Sequence, residues 1–301
     1  MKKTFIGIVT FGNINFTRLA IQSIKETVQS FYDIVLVIGK PDDIVTLNFA
    51  KENKINYIVH KENKGFPASI NDLYDWGFKN RNYDYFVAMG NDVIAYPYAI
   101  DSLIRVADDT DYEWMCSREF HVRALCKAFP DARKHFEGND FIFRKFGKVR
   151  PWEHFTAYSN NIQISKAGLS DVHNLALYKR SVFDKIGYVD VNFYPAYYED
   201  NDYVRRSVHK KISSCTVKNS FYFHFWSRTI KQESGGSTSK NFQNNKNFYI
   251  TKWGGDFGKE KWNIPFNNKP YQLGNVILEP NLSIHTRDQE KDIIKYWRNK
   301  N

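Results

Sequence analysis

Short apolar runs alternate with longer amphipathic stretches over the first ninety residues. The runs at 5–10, 34–38, 55–59 and 83–88 are continuous and rich in β-branched and aromatic residues. That is the pattern of strands buried on both faces of a parallel sheet. Between them, 16–29, 44–52 and 67–78 have helical spacing. Pro67 falls in the first turn of its helix, where a missing N–H costs nothing. The pattern predicts an open, mainly parallel α/β sheet flanked by helices. Such sheets bind ligands beyond the carboxyl ends of their strands. A site is therefore expected near 10–13, 39–43, 60–65 and 90–92.

From 111 to 160 the periodicity fades, and aromatic and charged residues mix. Regular patterning returns with a helix at 179–186, another after Glu199 and a strand at 220–225. The run Ser234-Gly235-Gly236-Ser237-Thr238-Ser239 reads as a mobile loop. A last amphipathic helix, 288–298, carries Ile293, Ile294 and Trp297 on one side. The expected organisation is a ligand-binding α/β half over 1–110 and an irregular insertion or acceptor-side subdomain over 111–165. A catalytic and acceptor half follows over 166–255, then a C-terminal extension over 256–301.

Composition narrows the class. With 42% hydrophobic residues in 301, the chain can bury a full core and is not disordered. No apolar run approaches the roughly 18 residues of a membrane span. The opening apolar stretch is too short for a signal peptide and has no small-residue cleavage site, so a cytoplasmic location is expected. A peripheral position at a membrane surface is the alternative. Cys116, Cys126 and Cys215 have no metal-ligand spacing, and their odd number argues against a disulfide framework. The net charge is +10, and 205–261 alone holds 12 Lys and Arg against 3 Asp and Glu. That block suits a diphosphate, a nucleic acid or a lipid surface; a merely solvated face explains it equally well.

No G-x-G-x-x-G follows the first strand and no P-loop sequence occurs anywhere, which removes the main support for dinucleotide and P-loop chemistry. Asp92 instead leaves the carboxyl end of the fourth strand, in Met89-Gly90-Asn91-Asp92-Val93. An aspartate there can hold a divalent cation that binds a diphosphate; turn capping is the competing role. A second group is Glu199-Asp200-Asn201-Asp202, placed directly after the apolar run Phe193-Tyr194-Pro195-Ala196-Tyr197-Tyr198. Acids at a helix N-terminus are ordinary. Acids at a partly buried entrance also suit a general base. His224, within Phe221-Tyr222-Phe223-His224-Phe225-Trp226, is either a core residue or a metal ligand.

Taken in order, these segments resemble the family 2 inverting glycosyltransferases of the GT-A fold. The likeness covers roughly 4–105 and 170–255. It rests on Val9-Thr10-Phe11-Gly12-Asn13, on Asn63-Lys64-Gly65 with Asn71, and on Asn91-Asp92 where the family has D-x-D. It rests also on Ile186-Gly187-Tyr188-Val189-Asp190 with Glu199-Asp200, and on His224 with Lys252-Trp253-Gly254. The resemblance implies a nucleotide-sugar donor and a divalent cation, Mn2+ or Mg2+, held by Asp92 and His224. It implies Asp200 as catalytic base, with Thr10, Asn13, Asn63, Gly65 and Asn91 lining the donor side. Asp42 or Asp43 would contact the base, and Arg228 or Lys231 would form a lid. Glu199 and Asp202 are expected to orient the loop and cap the helix. Gly90 departs from the family's first aspartate. Implied acceptors are a glycan, a lipid-linked glycan or a hydroxylated DNA base; a non-catalytic sugar-nucleotide binder of the same fold is the other reading.

Overall fold

The structure is a computed structural model that describes residues 2–119, 162–166, 174–225, 239–284 and 286–300. Its first half is a parallel sheet of β1 (Thr4–Thr10), β2 (Asp33–Ile38), β3 (Asn56–Val59) and β4 (Tyr85–Gly90). The connections are α1 (Ile14–Thr27), α2 (Ile44–Glu52) and α3 (Gly65–Tyr74). The spatial order β3-β2-β1-β4 puts β1 at the centre, with Ile8 paired to Leu36 on one side and Met89 on the other. The continuous apolar pattern follows from this position. Ile6 and Ile8 enter one core, with Ile24 and Leu36, while Phe5 enters the opposite core among Trp76, Phe78 and Phe86.

The third helix does not run unbroken to Phe78. Asp75–Lys79 is wound as a π-turn, with Gly77 against the Phe5 ring. A Cβ on Gly77 would stand 2.1 Å from that ring, so the backbone widens where the aromatic presses in.

Beyond β4 the sheet becomes mixed. It continues β4-β8-β6-β9-β5, with β7 also paired to β9. The strands are β5 (Val93–Ala95), β6 (Trp114–Glu119), β7 (Ile164–Lys166), β8 (Leu175–Lys179) and β9 (Ser214–His224). They are accompanied by α4 (Ala99–Asp109), α5 (Arg180–Ile186) and α6 (Glu199–His209). The mixed α/β sheet flanked by helices is the expected architecture. One detail differs: β6 lies inside the stretch expected to be irregular from 111, and its Trp114 is fully buried. Most of the rest of that stretch lies outside the described residues.

The C-terminal part comprises α7 (Lys240–Trp253), the hairpin β10 (Tyr271–Leu273) and β11 (Val276–Leu278), and α8 (Arg287–Lys300). As the periodicity predicts, α8 buries Ile293, Ile294 and Trp297. It is also tied electrostatically to the first half. Arg287 binds Asp72 of α3 and lies 3.1 Å from Asp75, while Arg298 binds Glu62. Among the described residues no helix is long and apolar enough to cross a membrane.

Candidate active site

Asp92 sits in the tight link between β4 and β5. Short as it is, β5 pairs antiparallel with the end of β9, which sets Val93 opposite His224. The Phe225 N–H donates to the Asp92 carbonyl at 2.9 Å. The result is that His224 Nε2 lies 3.3 Å from Asp92 Oδ1, although the residues are far apart in sequence. Both side chains are mostly buried. Donors neighbouring one another around a small divalent ion stand about 3 Å apart, so one carboxylate and one imidazole at this separation fit a shared cation. Among the described residues no three His, Cys, Asp or Glu side chains gather as a cage. A cation here would complete its shell with water and ligand oxygens, the habit of Mg2+ and its relatives at phosphate sites.

The glycine at position 90 has a local reason. A Cβ there would come within 3.2 Å of Asp92 Oδ1 and 3.0 Å of Val93 Cγ2. The Asp92 carboxylate folds over Gly90, in space that a side chain would crowd.

The other residues expected on the donor side surround the carboxyl ends of the first strands. Thr10 ends β1, fully buried, and its hydroxyl has no partner among the described residues. Asn13 is left-handed (φ 57°) and starts α1, with its side chain half-buried. Asn63 accepts from the Gly65 N–H at 2.9 Å and so shapes the turn into α3. Gly65 has φ +81°, and a Cβ on it would meet the Pro195 carbonyl at 2.9 Å. The next N–H, of Phe66, donates to that carbonyl at 2.7 Å. The turn into α3 is thus seated directly on the loop that leads to Asp200.

Asn91 faces elsewhere: its amide reaches Thr17 of α1 at 3.5 Å inside the core. Asp43 caps α2, accepting from the Thr46 N–H at 3.0 Å and its hydroxyl at 2.7 Å, while Asp42 is exposed. A feature the sequence reading did not single out is Lys40, whose chain lies over Gly12 and brings a cation to this edge. Arg228 and Lys231 lie outside the described residues.

The acidic cluster separates into distinct jobs. Tyr197 (φ 83°) and Tyr198 (φ 70°) are consecutive left-handed aromatic residues immediately before α6. Such backbone costs about 1–3 kcal/mol per residue and persists only where surroundings enforce it. Here Asn245 of α7 donates to the Ala196 and Tyr197 carbonyls at 2.8 and 3.1 Å, and Tyr198 donates to Asp256 at 3.1 Å. Asp200 emerges half-buried in the first turn, accepting from the Asn201 N–H at 2.7 Å. Glu199 is buried, with Oε2 lacking a partner among the described residues. Burial pushes both carboxyls up, and the neighbouring Asp200 charge pushes Glu199 further. A carboxyl raised in this way is a stronger base at neutral pH than an ordinary surface aspartate.

Asp202 is not a helix cap, contrary to the expectation from its position. The N-cap of α6 is Tyr198, with no side-chain bond. Asp202 is fully buried and accepts from Arg206 at 2.8 Å, Lys252 at 2.6 Å and the Trp253 indole at 2.9 Å. Lys252 also reaches Asp190 at 2.7 Å. The Lys252-Trp253 pair therefore works as a clamp under the acidic helix. These bonds also revise the basic block: Arg206, Lys252 and Lys246 are each paired with a carboxylate, and Arg205 donates to the Trp262 carbonyl. Part of that positive charge holds the fold.

With this geometry in view, comparison with known proteins is informative at one level. No family model and no curated sequence matches the chain. The fold is shared with a known glycosyltransferase. That structure is the mannosyltransferase PcManGT from Pyrobaculum calidifontis, solved in complex with GDP-Man and Mn2+. The similarity has a TM-score of 0.51 at 10% identity, covering 74% of this chain and 56% of the other. The chain thus spans little more than half of that protein, and at this identity the likeness is one of fold.

Proposed function

We propose that the protein is an inverting glycosyltransferase, moving a sugar from a nucleotide-sugar donor to an acceptor hydroxyl with the help of a divalent cation. The observation that carries the reading is the meeting of Asp92 and His224 at 3.3 Å beyond β4. Support comes from the fold, since the similar mannosyltransferase was solved with a sugar nucleotide and Mn2+.

In this reading Asp92 and His224 would hold the cation, which would supply positive charge to the leaving diphosphate. Lys40 would add to that field from the turn after β2, and Thr10, Asn13, Asn63 and Gly65 border the nucleotide. Asp200 takes the proton of the acceptor hydroxyl as its oxygen bonds to the anomeric carbon from the face opposite the leaving group. The anomeric C–O bond to the diphosphate breaks, and its electron pair departs with the nucleoside diphosphate. One displacement inverts the configuration, and no second carboxylate is needed to protonate so stable an anion.

The test is a melting-temperature screen of nucleoside diphosphates and sugar nucleotides with Mn2+ and Mg2+, followed by donor turnover with the best pair. Asp92→Ala, or chelator on the wild type, should abolish metal-dependent donor binding and turnover while the melting temperature without ligand changes little. Full turnover in chelator would overturn the cation's part. Binding of donor without transfer or slow hydrolysis, across acceptor panels, would favour the non-catalytic reading.

A further inference from the structure

A second cavity, of about 200 Å³, lies between the buried Asp190–Lys252 pair and the C-terminal segment. It shares no lining residue with Asp92, His224, Asp200 or the donor-side turns. One wall is polar and built into the core: Asp190, Asn192 and Lys252 are each at least 96% buried. The facing wall is apolar, formed by Phe266 with Ile277 and Leu278. Phe266 is held for this position, stacked on Tyr271 with ring centroids 4.9 Å apart.

We propose that this cavity binds one neutral sugar ring, as a second saccharide site apart from the transfer site. The lining decides the ligand class. Among the described residues its charges are Asp190 and Glu279 against Lys252, and Lys252 is already shared with Asp202. A phosphate or carboxylate would meet net negative charge, so anionic ligands are excluded. Both hydrogen-bonding senses are on offer, as a hydroxyl requires. Asn192 gives one amide proton to Asp190, and Lys252 gives two of its three to carboxylates, which leaves a donor on each among the described contacts. Glu279, Asn281 and Gln289 add acceptors and donors at the rim. The aromatic and aliphatic wall suits the C–H face of a pyranose, while the buried wall suits its hydroxyl edge. The volume equals roughly six or seven waters of liquid, enough for a single ring and too little for a nucleotide.

The site's use, as a second grip on a saccharide acceptor, rests on the glycosyltransferase reading; the binding itself does not. It is tested on the whole protein by saturation-transfer NMR with neutral hexoses and N-acetylhexosamines, with glucose 6-phosphate as an anionic probe. At least one neutral sugar should bind with millimolar affinity. Ile277 is half-exposed at the cavity, so Ile277→Trp should fill it without disturbing the core and weaken that sugar at least tenfold. Asp92→Ala should leave the sugar signal unchanged while it removes cation-dependent nucleotide binding. The proposal is overturned if no neutral sugar binds at tens of millimolar, if Ile277→Trp binds as well as the wild type, or if glucose 6-phosphate binds better. Loss of the nucleotide result alone would sink the transferase reading and leave the cavity standing.

Discussion

The two halves of the sheet use their acidic residues in opposite ways. In the parallel half, Asp43 caps a helix and Asp92 stands at a strand end with an imidazole beside it. In the second half, Asp190 and Asp202 are bound within the fold by Lys252, Arg206 and Trp253. Between that pair in sequence comes Asp200, held half-buried by a strained turn and bonded only to backbone N–H groups among the described contacts. The contrast separates two kinds of buried charge. Asp202 has its lone pairs filled by donors and serves as an anchor; Asp200 keeps capacity to accept a proton. A helix N-terminus alone would treat both alike, so it is the clamp from α7 that distinguishes them.

The sharpest way to break this comparison is to exchange the roles by mutation. Asp202→Ala leaves Lys252 and Arg206 short of a buried partner, a loss that typically costs about 3–5 kcal/mol. Urea unfolding should record it, with any residual activity per folded molecule largely preserved. Asp200→Asn should do the reverse: stability near that of wild type, with turnover down about 10²- to 10⁴-fold and donor affinity kept. If Asp202→Ala is as stable as wild type, or if Asp200→Asn turns over normally, the division into anchor and base is wrong.

Much of the parallel half is legible in the sequence because it is built from neighbours. Its four strands and three helices lie within a few residues of their expected limits, since each apolar run is buried by the helix that follows it. The partnership of Asp92 with His224 is different. It depends on β5, a three-residue strand too short to carry a period, and on its register against β9. The sequence offers both residues as candidates and no reason for their contact. The anchor was hidden for another cause: Lys252 and Arg206 look like solvated charges in a basic block. One signal was available, because Lys252 follows Phe248 and Tyr249 on the buried side of its helix. The tie of Arg287 to Asp72 has no sequence signal at all, spanning 215 residues of the chain.

A smaller effect is expected at His224. On the proposed reading it would be the second donor beside Asp92, tuning the cation rather than holding it alone. His224→Ala should lower turnover less than Asp92→Ala, and more in Mn2+ than in Mg2+, because imidazole suits the softer ion better. Activity titrated against each metal measures this. Equal losses in both metals would return His224 to a packing role and narrow the difference between the two halves.

The smallest effect, and the subtlest, concerns Glu199. Burial and the Asp200 charge raise its carboxyl well above the usual range in the folded protein. A group raised in this way adds stability that is complete below its unfolded pKa and is lost as pH rises through the folded one. At neutral pH the wild type therefore bears the cost of a buried, poorly bonded carboxyl. Glu199→Gln keeps the size and removes the charge, so it should be more stable than wild type near neutral pH, by about 1 kcal/mol. The gain should shrink as pH falls, vanishing below the ordinary glutamate range, where the wild-type carboxyl is protonated in both states. Melting curves of the two proteins from pH 4 to 8 measure it. A gain that is flat with pH would place the effect in packing. A loss at neutral pH would mean that ionised Glu199 has a partner that stabilises its charge, and Glu199 would join Asp202 among the anchors.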